Sequence, residues 1–129
     1  WPRGLRPVLA PVVVLEPEKA ARQELDRIAR LDLLPLRDYV TFYSLISTCT
    51  RRYLDDRLNV EALSSTTREL RRTMESRGLD RWQARVATGL LEECDAAKWA
   101  HYEPAGPRAE RALTIAFEIV DLVSSPQDT

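Results

Sequence analysis

Glycine is scarce, with four in 129 residues, and histidine occurs once, as His101. Four glycines fit a charged-surface helical bundle better than a disordered tail, and no Gly-rich phosphate loop, GxSxG or HExxH motif is present. One histidine leaves too few ligands for a zinc or triad site, so it reads as a structural histidine beside Trp99 and Tyr102 near a helix end. Cys49 and Cys94 are the only cysteines, in no CxxC spacing, and read as two buried free thiols of a reducing compartment. No stretch approaches the ~20 apolar residues of a membrane helix, and no signal-peptide pattern opens the chain. A net charge of −1 gives no bulk attraction to nucleic acid or to an acidic membrane. Catalytic, cofactor and metal residues are therefore each expected to be none.

Charged residues at 30% and hydrophobic ones at 44%, with no strand signal outside a short apolar arm, point to an all-α fold. About five helices in a single bundle are expected over residues 16–123, after an extended Pro-rich arm over 1–15 and before a polar tail over 124–129. Asp38 to Leu58 orders the rest. It holds neither glycine nor proline, would span ~31 Å, and carries Tyr39, Phe42, Tyr43, Ile46, Cys49 and Tyr53 at the spacing of one buried face.

The arm carries Pro2, Pro7 and Pro11, which prevent a helix. Its Val12, Val13, Val14 and Leu15 are too apolar for a solvated linker and are expected to dock on the bundle or on a neighbouring chain, giving a homo-oligomer in the second case. Pro17 suits the first position of a helix running to about Leu31, with Arg22, Asp26 and Arg30 pairing along its solvated side. Leu33-Leu34-Pro35 interrupts, and the central helix follows. In its second half Arg51, Arg52, Asp55, Asp56 and Arg57 crowd together, with i, i+4 pairs Arg51–Asp55 and Arg52–Asp56; this is a solvated charged end or a candidate partner-binding surface.

Asn59 can close that helix in the left-handed conformation, and Thr66 with Glu69 has capping-box spacing for the next, which Gly78 ends. Asp80 can cap a fourth helix with Trp82, Val86, Leu90 and Cys94 on its inner face, widened by Ala87, Leu91 and Ala97, reaching Trp99. Pro107 opens a fifth, with Leu113, Ala116, Phe117 and Val120 as its stripe. Asp55-Asp56 and Glu92-Glu93 are adjacent carboxylates that diverge by about 100° on a helix and read as solvated.

Two alternatives to a protein-interaction domain stay open. The 66–77 helix carries Arg68, Arg71, Arg72 and Arg77 and could serve a DNA-binding regulatory domain, although Glu69 and Glu75 interrupt it. Trp82, Trp99 and Tyr102 could line a small-ligand pocket, in which a polar cleft with His101 and Asp95 would signal binding or chemistry.

In the run RDYVTFYSLISTCTRRYLDDRLNVEALSSTTRELRRTM, the order Asp38-Tyr39, Phe42-Tyr43, Arg52-Tyr53-Leu54 with Arg57, Ala62, then Thr66-Thr67 and Glu69-Leu70 resembles the cytoplasmic C-terminal helical region of BatD-like membrane proteins. Cys94-Asp95-Ala96-Ala97-Lys98-Trp99-Ala100 is similar to the downstream part of that region, with Trp99 where a smaller aromatic is expected. The resemblance spans about Lys19 to Val123. It implies a non-enzymatic interaction domain on the cytoplasmic side of the bacterial inner membrane. Its implied partner is a MoxR-type AAA+ ATPase or a von Willebrand A-domain protein, with no nucleic acid and no cofactor. The chain opens at Trp1 without methionine, so the natural protein is expected to extend toward its N-terminus, with any membrane segment there.

Overall fold

The computed structural model describes residues 15–99, Pro104 and 107–124. Among these the secondary structure is entirely helical: α1 (Pro17–Ala29), α2 (Tyr39–Leu58), a 3₁₀ turn (Ala62–Ser64), α3 (Thr67–Ser76), α4 (Arg81–Trp99) and α5 (Arg108–Ser124). No described helix is long and apolar enough to cross a membrane.

Each helix begins and ends where local chemistry dictates. Pro17 opens α1, where its missing N–H costs no hydrogen bond. α1 stops at Ala29, two residues short of the expected Leu31, because Asp32 turns left-handed at φ 58°. Residues 33–38 then make one closed turn, with the Asp38 N–H donating to the Leu33 carbonyl and the left-handed Arg37 donating to that of Leu34. Asp38 caps α2 by accepting from the Thr41 N–H at 3.2 Å, and Asn59 ends it at φ 56°, ψ 52°.

The expected capping box of α3 is complete. Thr66 Oγ1 accepts from the Glu69 N–H at 3.1 Å, and Glu69 Oε1 accepts from the Thr66 N–H at 2.8 Å. Those bonds hold the Glu69 carboxyl below its usual range. At the other end Gly78, at φ 102°, donates to the Glu75 carbonyl and Leu79 donates to that of Met74, the paired bonds of a Schellman ending. Leu79 and Met74 are both buried, so the turn also closes an apolar contact layer.

α2 is the centre of the bundle, packing against α1, α4 and α5, while α3 packs on α4. Its inner face holds Phe42, Tyr43, Ile46, Cys49, Tyr53 and Leu54, all buried as the periodicity expects, with Tyr39 half-buried at the edge. Phe42 and Tyr43 meet edge to face at 5.4 Å. Each fully buried aromatic or leucine side chain stabilises the fold by ~1.5–3 kcal/mol relative to exposure.

The buried face of α5 is rotated from the expected one, and that of α4 keeps Ala87, Leu90, Leu91, Cys94 and Ala97 but loses Trp82. In α5 the buried line is Ala109, Ala112, Ala116, Ile119, Val120 and Val123, leaving Leu113 and Phe117 half-buried at its flanks. Three alanines let the backbone of α5 approach its neighbours closely, so the larger residues fill the margins. In α4, Trp82 is 59% exposed, and the buried face is Ala84, Ala87, Leu90, Leu91, Cys94 and Ala97. Gln83 is buried instead. It completes a second capping box with Asp80, and its amide donates to the Leu122 carbonyl at 3.1 Å, tying α4 to the end of α5.

Candidate functional site

Three surfaces gather the residues that could carry function. The first is the second half of α2. Neither expected i, i+4 ion pair forms there; for Arg51 and Asp55 the 3₁₀ turn and the residues up to the start of α3 offer other partners. Arg51 Nη1 donates to the carbonyls of Ala62 and Ser65, each at 2.7 Å, and Nη2 donates to Thr67 Oγ1 at 3.0 Å. Thr67 passes the connection on by donating to Asp95 of α4 at 2.9 Å. Asp55 accepts from the Ala62 N–H. One guanidinium and two carboxylates thereby join α2, the 3₁₀ turn, α3 and α4.

Arg57 reaches the other way, pairing with Glu18 of α1 at 3.0 Å. Tyr53 lies beside it, its hydroxyl within 3.1 Å of Glu18 and 3.2 Å of the Val120 carbonyl; burial first, and the Glu18 charge second, raise that phenol above its usual range. Of the five residues of this stretch, Arg52 and Asp56 remain on an open cleft. They line a cavity of about 170 Å³ between α1 and α2 with Pro17, Glu24, Cys49 and Tyr53. Glu24 itself is held below its usual range chiefly by Arg27, which donates to both its oxygens.

The thiols do not make this cleft reactive. Cys49 and Cys94 are free and buried, as expected, and both are pushed up to about 12, by burial above all. A nucleophilic cysteine needs the opposite shift. Nor are all the acidic residues solvated. Glu93 accepts from the Tyr43 hydroxyl at 2.6 Å and faces Arg108 at 3.7 Å, joining α2, α4 and the start of α5. Arg22 bonds Asp121 of α5 at 2.6 Å in place of the expected Asp26.

The second surface is the end of the bundle where α1 passes into α2. Leu36 is 73% exposed, Val40 50% and Leu31 39%. Beside them, Leu33, Leu34, Pro35, Phe42 and Leu113 line a cleft of about 250 Å³, to which Asp32 and Glu110 add two carboxylates. The loop composition alone, LDLLPL, holds the signal for this apolar end.

The third surface spans the seam between α3 and α4. Arg68, Arg71, Arg72 and Glu75 of α3 and Arg81 and Arg85 of α4 line one open depression of about 360 Å³. The α4 arginines join the expected basic face because the Schellman turn folds α4 back along α3. Arg77 is not among them; it is the C-cap residue of α3.

The aromatic residues do not assemble a ligand pocket among the described residues. Trp82 and Trp99 are both well exposed, at 59% and 75%, and lie at opposite ends of α4; the ammonium of Lys98 stands 5.3 Å from the Trp99 ring. His101 and Tyr102 lie outside the described residues, as do Val12, Val13 and Val14 of the arm. Leu15 is half-buried against α1, on a depression it shares with Ala20, Gln23 and Arg27. Among the described residues no group of acidic, histidine and cysteine side chains is placed to hold a metal ion.

No family model, no curated protein and no solved structure matches this chain. The three surfaces therefore have to speak through their own chemistry.

Proposed function

We propose that this chain is a protein–protein interaction domain whose docking surface is the apolar end between α1 and α2. The observation that carries the reading is the exposure of Leu36, Val40 and Leu31 beside a mostly apolar cleft. Exposed apolar groups that cluster at one end of a small bundle mark contact sites more than scattered ones do. Their mounting supports the same reading: residues 33–38 form a hydrogen-bonded turn, so the side chains are presented on a fixed frame with little ordering cost on binding.

The resemblance to BatD-like proteins suggests the setting. In that reading the domain stands on the cytoplasmic side of a bacterial inner membrane, joined to it through a segment preceding the bundle, and its partner is a MoxR-type ATPase or a von Willebrand A-domain protein. A pull-down with the domain as bait and the two purified candidate partners as prey tests it. Recovery of either, lost on Leu36→Glu with Val40→Glu, is expected. Recovery of neither overturns the setting, and recovery that survives both substitutions moves the docking surface elsewhere.

A further inference from the structure

The α3–α4 seam carries a second and independent signal. Its depression is lined by five arginines and one glutamate, a local charge of +4 in a chain of net −1, so all other residues together carry −5. The segregation is more than the composition requires. Arg71 approaches Glu75 at 4.0 Å, while Arg68, Arg72, Arg81 and Arg85 have no ion pair or side-chain hydrogen bond among the described residues. Four guanidiniums are thus held within one two-helix face, each presenting a planar fork of donors suited to bidentate oxyanions. Mutual repulsion makes such a face unfavourable on its own. An anionic partner relieves it.

Two features decide which anion. The face is short: Arg68 to Glu75 covers about two turns of α3, roughly 10 Å, and Arg81 to Arg85 about one turn of α4. A nucleic-acid backbone running past it would meet the acidic remainder of the molecule. Second, Glu75 stands inside the depression. A carboxylate there interrupts a phosphodiester track, which carries a charge at every unit, whereas a polypeptide can set an uncharged residue at that point and donate a backbone N–H to Glu75. Trp82, next to Arg81 and three residues before Arg85 on α4, is well exposed and offers a flat apolar surface, and Trp and Arg are both enriched among the residues that dominate protein contacts.

We infer that the arginine face of α3 and α4 is a docking site for an acidic polypeptide segment of a partner protein, with Arg72 and Arg85 as its principal carboxylate-binding residues and Trp82 at its edge. This site is separate from the apolar end. The two can engage one partner at two points or two partners at once.

Fluorescence anisotropy tests it with a labelled peptide of alternating Glu and Ala, about twelve residues long, against the intact chain. Binding is expected to weaken steeply with salt and to fall by at least ~10-fold on Arg72→Glu with Arg85→Glu, while Arg30→Glu, at the C-cap of α1, leaves it within about 2-fold. Should the double charge reversal lower the helical circular-dichroism signal, Arg72→Gln and Arg85→Gln take its place. The Trp82 indole resonance should shift on titration while that of Trp99 stays fixed. The inference is overturned if the Gln/Ala version of the peptide binds equally well, or if the variants bind as the parent does. It is also overturned if single-stranded RNA of the same length binds as tightly as the peptide, which would give the face to nucleic acid. Leu36→Glu with Val40→Glu should leave peptide binding intact, so failure here and failure of the apolar-end reading are read separately.

Discussion

Replacing Arg51 by alanine should destabilise the bundle by about 3 kcal/mol, which is large for a side chain that is only half-buried. Its guanidinium donates three hydrogen bonds, two of them to main-chain carbonyls, that of Ala62 in the 3₁₀ turn and that of Ser65 just after it. Charge-assisted bonds contribute ~1.5–3 kcal/mol each where water is excluded, but partial solvation and their shared geometry keep the sum well below additive. The loss also leaves the Ala62 carbonyl, on a fully buried residue, without this donor. With a urea m-value of about 1.5 kcal/mol/M, the midpoint should fall by about 2 M at unchanged m. Arg51→Lys should recover no more than about half, because one ammonium cannot span acceptors that the planar fork reaches together. Arg52→Ala, one residue on, should stay within about 0.5 kcal/mol of the parent. A parent-like Arg51→Ala, or an Arg52→Ala equally costly, would refute the assignment of Arg51 to structure.

Two further predictions concern pH and capping. The folded-state pKa of about 12 for both thiols lies above the ordinary value of 9.0, so their stabilising difference is fully present below pH 9 and is lost as the pH rises toward 12. At about pH 10.5 each thiol should cost roughly 2 kcal/mol relative to about pH 8, with Tyr53 adding in the same direction; a Cys49→Ala, Cys94→Ala variant should show a flatter alkaline decline, and identical slopes would refute this. Thr66→Ala should cost about 1 kcal/mol by removing one half of the capping box, Thr66→Ser should cost little, and equal losses for the two in urea unfolding would count against the hydroxyl's role.

The helices, their caps and the central role of α2 were legible because they rest on near-neighbour chemistry. Thr66 and Glu69 are three residues apart, Asn59 and Gly78 act on their own turns, and Phe42, Tyr43, Ile46 and Cys49 repeat with the helix. What the pattern hid depends on distant partners. Arg51 has a carboxylate one turn away at Asp55, yet both turn to the loop at residues 62–67, and only the folded chain brings that loop within reach. Glu93 finds Tyr43 fifty residues away. Trp82 shows the reverse error: bulk and spacing placed it inside, while Asp80 and Gln83 fix the start of α4 so that Gln83 turns inward. Of the candidate surfaces, the basic residues of α3 could be read from the chain, but their union with Arg81 and Arg85 follows from the turn at Gly78.

That turn also sets how the molecule fluctuates. α3 packs on α4 and is fastened to α2 through the hydrogen bonds that Thr67 and its preceding turn make with Arg51, so it is the least anchored of the five helices. In native-state hydrogen exchange its amides should therefore exchange ahead of those of the other four helices. Arg72 and Arg85 lie on the two sides of the Gly78 turn. A segment bridging them would act as a latch, and slower exchange along Leu70 to Met74 would then measure how often the latch is closed.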